Sequence, residues 1–145
     1  MGEIRKVRYV VGDVTQWESP RKFALWHDPA VFHFLLDDGA RAGYRRAVAS
    51  ALAPGSMAII ATFNLNGPDR CSGLPVCRYS GDTLASELEG ILRLIEVRHE
   101  EHSTPTGAKQ PFVYGLFERI GPHSATVRPP DDRDVGCDHQ AGATA

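Results

Sequence analysis

Several side chains capable of chemistry follow directly after short apolar runs of the sequence. Asp13 comes after the run at residues 7–12, and His27 and Asp28 close the run that begins at residue 23. A carboxylate at the end of a strand can accept hydrogen bonds from a ligand amine or hydroxyl. Either aspartate can equally form a turn or cap the next helix. Both interpretations remain open on spacing alone.

Two further kinds of candidate lie downstream. His33 falls in the apolar segment at residues 30–36, where it could act as a base or could simply pack. Arg70 and Arg78 lie in a segment rich in turn residues, 64–79. Two guanidinium groups near a ligand could clamp a carboxylate, although solvated surface arginines are more common. An irregular segment of this length inside a domain is often functional.

A metal site is not expected. His99 and His102 flank two glutamates, but the spacing is three residues rather than the four of the H-E-x-x-H motif. On a strand they would point to opposite faces, and no third ligand is in view. A metal-dependent hydrolase is therefore the weakest interpretation. The glycine-rich nucleotide motifs and G-x-S-x-G are absent, so nucleophilic hydrolysis is also unsupported.

Charge and hydropathy exclude some classes of partner. Lys plus Arg number 16 and Asp plus Glu 18 among 145 residues, giving a net charge of −2. This balance argues against a protein that binds nucleic acid through bulk charge. No apolar run approaches the ~20 residues that span a bilayer, and the N-terminus has no stretch of signal-peptide type. We expect a cytoplasmic protein with no membrane partner.

The elements that must position these residues alternate between strand and helix. An apolar stripe from Tyr44 to Leu52 predicts a helix that is capped by Asp37 or Asp38 and stopped at residues 54–55. Short helices are predicted at residues 30–36 and 83–88. Strands are predicted at residues 7–12, 23–27, 57–63, 91–98 and 111–119. The order predicts an α/β fold whose sheet is mainly parallel, with a terminal antiparallel strand.

The chain divides by composition near residue 120. Residues 121–145 contain only two large aliphatic side chains, Val127 and Val135. Such a segment cannot bury enough apolar surface to offset its ordering entropy. We therefore expect one partial domain at residues 1–120 and a disordered tail at 121–145, removable without loss of folding.

Three stretches together resemble class I S-adenosylmethionine-dependent methyltransferases. They are GDVT at residues 12–15, FALWHDPAVFHFL at residues 23–35, and LAPGS at residues 52–56 leading into an apolar strand. The resemblance extends over residues 7–119 and implies a three-layer, Rossmann-like sheet. The family's first strand, glycine-rich loop and second strand would precede Val7, so we expect an N-terminally truncated version of that sheet.

The resemblance also implies a cofactor and roles for particular residues. S-adenosylmethionine would be bound with its adenine amine on Asp13 and its ring on the backbone of Val14. His27 and Asp28 would line the methionine side of the cofactor. Without the glycine-rich loop we expect this chain to bind the cofactor weakly.

The acceptor would be a small molecule. His33 is the candidate base or orienting group for a hydroxyl or amine, and Arg70 and Arg78 are the candidates for holding a carboxylate. The alternative from another class is a non-catalytic remnant that acts as an interaction module. Its uncovered sheet would then bind a partner or a second copy, giving a homodimer.

Overall fold

The computed structural model describes residues 6–121 as a four-stranded sheet packed against two α-helices, with a small hairpin beside it. A 3₁₀ turn at Phe32–Phe34 follows the first strand. The remaining elements are β1 (Phe23–Asp28), α1 (Asp38–Ala51), β2 (Leu52–Phe63), β3 (Arg70–Cys71), β4 (Leu74–Pro75), α2 (Gly81–Glu87), β5 (Leu92–Ser103) and β6 (Lys109–Arg119).

The sheet has the order β1-β2-β6-β5. β1 and β2 are parallel, and β6 is antiparallel to both of its neighbours, β2 and β5. Strands β1, β2 and β5 therefore run in one direction, and the last strand runs against them. The predicted fold class is confirmed, with β6 inserted between β2 and β5. The carboxyl ends of β1, β2 and β5 meet at one edge of the sheet.

One apolar core joins the helices to one face of the sheet. Tyr44 and Val48 of α1 pack with Leu84 of α2 against the sheet, where Phe117 is fully buried. The helix starts as expected at Asp37, whose Oδ1 accepts the N–H of Ala40 at 2.8 Å. The apolar stripe predicted from period 3.6 is thus the face of α1 that meets the core.

The opposite face of the sheet carries no helix within residues 6–121. Trp26 of β1 points towards α1, so its neighbours Leu25 and His27 point to the other side. Leu25 is 50% exposed there, and Ile95 in the β5 bulge is 44% exposed. Among the described residues β1 is also an edge strand, paired only with β2.

One predicted strand and one predicted helix end are wrong. Residues 7–12 form no strand, and Val7, Tyr9 and Val11 are 70%, 89% and 103% exposed. β-propensity does not hold a strand that has no partner among the described residues. Residues 54–55 do not stop α1, because β2 begins at Leu52 and runs through them, with Gly55 at φ +89°.

Other boundaries shift without changing the order of elements. The helix expected at residues 30–36 is reduced to the single turn Phe32–Phe34. The irregular segment at residues 64–79 contains the β3–β4 hairpin. The predicted tail lies outside the described residues from residue 122 onwards. No helix among the described residues is long and apolar enough to cross a membrane.

Candidate functional site

The loop before β1 presents Asp13 to solvent in a tight turn. Its Oδ1 accepts hydrogen bonds from the backbone N–H of Thr15 at 2.9 Å and from the Thr15 hydroxyl at 2.7 Å. These two bonds hold the pKa of the Asp13 carboxyl below its usual value. The turn packs closely against α1 at Gly43. A Cβ atom at that position would overlap the carbonyl oxygen of Thr15. The carboxylate is thus charged and fixed, and its second oxygen accepts no hydrogen bond from residues 6–121.

A cavity of about 230 Å³ lies beside this turn. Its lining consists of Val10, Gly12, Asp13, Val14, Trp17 and Trp26. The two indole rings lie 6.3 Å apart at 46°, and the N–H of Val14 donates no hydrogen bond within residues 6–121. Apolar ring faces, an anionic acceptor and a free N–H donor suit a flat heteroaromatic ring that bears an amine.

A chain of hydrogen bonds to Tyr44 and Asp28 holds Trp26 in place beside this cavity. Its Nε1–H donates to the hydroxyl of Tyr44 at 2.9 Å, and that hydroxyl donates to Asp28 Oδ2 at 2.6 Å. Burial, together with the negative charge of Asp28, raises the pKa of Tyr44 well above its usual value. The tryptophans were not singled out from the sequence. The available signal was that Trp17 and Trp26 are the chain's two tryptophans.

Asp28 is used by the protein itself. Its Oδ1 accepts from the N–H groups of Ala30 and Val31 at 3.0 and 2.6 Å. Its Oδ2 accepts from Phe32 at 3.0 Å as well as from the Tyr44 hydroxyl. The side chain is 4% exposed. The geometry is that of the turn-forming alternative and leaves the carboxylate little capacity for a ligand.

His27 is exposed and lies on the side of β1 opposite Trp26. Its side chain therefore does not line the cavity beside Asp13. Of the four residues expected to hold the cofactor, the structure brings together only Asp13 and Val14.

His33 is fully buried in the 3₁₀ turn. Its Nδ1 accepts the backbone N–H of Phe63 at 3.1 Å, which puts the proton of the neutral ring on Nε2. Nε2 is buried, and no residue between 6 and 121 gives it a hydrogen-bond partner. Burial lowers the pKa of His33 to about 4. Because Nδ1, the basic nitrogen of the neutral ring, already accepts a hydrogen bond, this geometry suits a donor or orienting group rather than a base.

Arg70 and Arg78 both contact the loop that carries them. Nη1 of Arg70 donates to the carbonyl of Gly73 at 3.1 Å and closes the β3–β4 hairpin. Nη1 of Arg78 donates to the carbonyl of Gly67 at 3.1 Å. Each arginine stabilises the loop, and neither contact forms a clamp for a carboxylate.

One cluster was passed over in the sequence. Glu100 and His102 of β5 meet Tyr114 of β6 at the carboxyl end of β5. No group of three metal-ligating side chains occurs among the described residues. The sequence pattern groups His102 with His99 and the two glutamates between them, whereas its contact Tyr114 lies twelve residues away on the next strand.

Comparison with known proteins identifies the fold. NodS, an N-methyltransferase of Bradyrhizobium japonicum solved with S-adenosyl-L-homocysteine, superposes with a TM-score of 0.55 at 18% identity, covering 76% of this chain and 53% of NodS. The 1,6-didemethyltoxoflavin N1-methyltransferase of Burkholderia thailandensis gives 0.60 at 17% identity, covering 79% of this chain and 51% of the enzyme. A protein from work on thioacetal formation in echinomycin biosynthesis gives 0.55 at 21%, covering 77% and 53%.

The chain therefore has the fold of class I S-adenosylmethionine-dependent methyltransferases. It spans about half the length of these solved structures. No protein-family model matches the sequence, and the search of curated proteins gave no match.

Proposed function

We propose that this chain takes part in S-adenosylmethionine-dependent methyl transfer to a small-molecule acceptor. The observation that carries the proposal is the cavity between Trp17, Trp26 and the Asp13 turn. It has the donor, the acceptor and the ring faces that the adenine end of this cofactor needs, within a methyltransferase fold. The NodS structure with S-adenosyl-L-homocysteine supports this choice of ligand.

Each residue of the cavity has a separate task in this proposal. The open oxygen of Asp13 accepts from the exocyclic amine of adenine, and the N–H of Val14 donates to a ring nitrogen. Trp17 and Trp26 cover the ring and exclude water from it. When bound, the cofactor supplies a methyl group made electrophilic by the sulfonium. Asp28 fixes the turn after β1, and exposed His27 borders the methionine side.

The acceptor side is proposed at the carboxyl edge of the sheet, where β1, β2 and β5 end. His33 is fully buried, so in this proposal it is a positioning residue: its Nδ1 accepts the N–H of Phe63 and fixes the end of β2 beside the acceptor. Arg70 and Arg78 shape the loop that leaves β2, and an anionic acceptor would be attracted by their charge.

Tryptophan fluorescence provides a direct test, because the chain's two tryptophans both line the cavity. We expect adenosine and S-adenosylhomocysteine to quench this fluorescence with similar, weak affinity, since the contacts reach only the adenine end. Asp13→Ala should weaken both ligands about tenfold, the effect of losing one charge-assisted hydrogen bond.

Thr15→Val is the matched control, because it removes a partner of Asp13 within the turn and keeps the carboxylate. It should retain most of the affinity. Saturable methyl transfer by the chain with a panel of small acceptors would extend the result to activity. Equal quenching by inosine, which has no exocyclic amine, would contradict the assignment of Asp13.

A second candidate is self-association through the helix-free sheet face. Leu25 is half exposed there, on an edge strand. We expect sedimentation equilibrium to show a dimer that Leu25→Lys dissociates. Leu65→Lys is the control, because Leu65 is 51% exposed in the loop after β2. A monomer at all concentrations would remove this candidate.

A further inference from the structure

A second polar cluster lies on the hairpin formed by β5 and β6. Nε2 of His102 is 3.1 Å from the hydroxyl of Tyr114 and 3.6 Å from Oε2 of Glu100. In register, Glu100 faces Phe112 and His102 faces Gln110, so these side chains share one face of the sheet with Tyr114. Three groups able to hold or move a proton therefore meet at one point.

This cluster is joined to the carboxyl edge of the sheet by a row of rings. The ring of His102 meets Phe112 edge-on at 4.9 Å, and Phe112 meets Phe63 at 4.9 Å. Phe63 in turn meets His33 at 4.8 Å. The row of rings begins at His33 in the turn after β1 and ends at solvent-exposed His102. It forms an apolar surface next to the polar groups of the cluster.

The neighbouring glutamates each pair with a Lys or Arg side chain, so His102 is the partner of Glu100. Arg98 pairs with Glu96 at 3.3 Å, and Lys109 pairs with Glu101 at 3.0 Å. Among the described residues Glu100 has no Lys or Arg partner. Burial and the charge of Glu100 raise the pKa of Tyr114, so its hydroxyl remains protonated.

We propose that Glu100, His102 and Tyr114 bind the hydroxyl of an aromatic acceptor and take up its proton, with Phe112 against the ring. The acceptor role rests on the proposed methyl transfer; the binding site does not. The ligand hydroxyl donates to the Tyr114 oxygen while the Tyr114 proton moves to Nε2 of His102. The O–H bond of the ligand breaks, an N–H bond forms, and the electron pair stays on the ligand oxygen. Glu100 stabilises the imidazolium.

The probe for this site is 4-nitrophenol, whose absorbance distinguishes the phenol from the phenolate. We expect it to bind the full chain and to show a larger phenolate fraction than the free probe at the same pH. His102→Gln should weaken binding about tenfold and remove the phenolate excess. Tyr114→Phe should keep the ring contact but lose the excess, because the relay is broken.

His99→Gln is the matched control, because His99 is exposed and lies on the opposite face of β5. It should behave as the wild-type chain. Absence of 4-nitrophenol binding, or a phenolate excess that survives in His102→Gln, would overturn the proposal. Adenosine quenching of the tryptophans is measured separately, so failure of this site and failure of the cofactor site are distinguishable.

Discussion

Two aspartates of this chain have similar sequence contexts and opposite surroundings. Asp28 ends β1 and is 4% exposed, with both oxygens engaged by three backbone N–H groups and the Tyr44 hydroxyl. Asp13 lies in the turn before β1, where it is exposed and where Thr15 is its one hydrogen-bond partner among the residues that the structure describes. A carboxylate whose oxygens are fully hydrogen-bonded within the protein stabilises the fold. A carboxylate that is held in place but keeps one oxygen open can bind a ligand.

His33 and His102 show the same contrast. His33 is buried and accepts a backbone N–H through Nδ1, whereas His102 stands half exposed beside Tyr114 and Glu100. The buried turn after β1 thus uses its polar groups internally. The exposed Asp13 turn and the β5–β6 hairpin present theirs to solvent, so the candidate chemistry belongs to these two exposed regions.

The largest effect is expected at Asp28. Asp28→Ala leaves the Phe32 N–H and the Tyr44 hydroxyl unpaired in a buried environment and removes the partner of two part-buried N–H groups, so the free energy of unfolding should fall by about 4 kcal/mol. Urea denaturation measures the loss. If that variant does not fold, Tyr44→Phe removes one of the four bonds to Asp28 together with the bond from Trp26 Nε1–H, and should cost about 2 kcal/mol.

Asp37→Ala is the control for that experiment. Asp37 caps α1 at the surface with one bond to Ala40, so its loss should cost about 1 kcal/mol. If the free energy of unfolding fell no more at Asp28 than at Asp37, the four hydrogen bonds to Asp28 would not stabilise the fold as this comparison requires.

The next effect concerns pH and His33. Its pKa in the folded chain is about 4, against 6.5 for an unperturbed histidine. The unfolded chain therefore binds more protons over this interval, and folding stability falls as pH is lowered from 6.5 towards 4. The loss should approach about 3 kcal/mol from this group.

Denaturation at a series of pH values checks the sign, with His33→Gln as the reference that cannot titrate. The difference in unfolding free energy between the two proteins should change over that interval. A parallel pH dependence in both would show that His33 does not resist protonation.

Much of the fold could be predicted because its signals are local. The stripe from Tyr44 to Leu52 and the cap at Asp37 depend on residues close in the chain, and both are in the structure. The strand expected at residues 7–12 failed because strand formation requires a neighbouring strand. Among the described residues none pairs with this segment, and composition alone cannot reveal that.

The candidate site was less accessible to sequence reasoning. The pattern of an aspartate before Pro29 is the same for a ligand-binding carboxylate and for a cap, and only burial separates them. The cavity depends on Trp17 meeting Trp26, and the second cluster depends on His102 meeting Tyr114. These contacts are set by sheet register and loop packing, which no short motif encodes.

The smallest effect on stability is expected at Asp13. Within the described part of the chain its carboxylate bonds to Thr15 alone, in the same exposed turn, so Asp13→Ala should leave the urea midpoint close to that of the wild-type chain. The same substitution should still weaken adenosine binding in the fluorescence titration. Asp28→Ala should have the larger effect on folding. A fall in stability at Asp13 comparable with that at Asp28 would mean that the Asp13 turn is part of the folding core, and that its loss of ligand follows from unfolding.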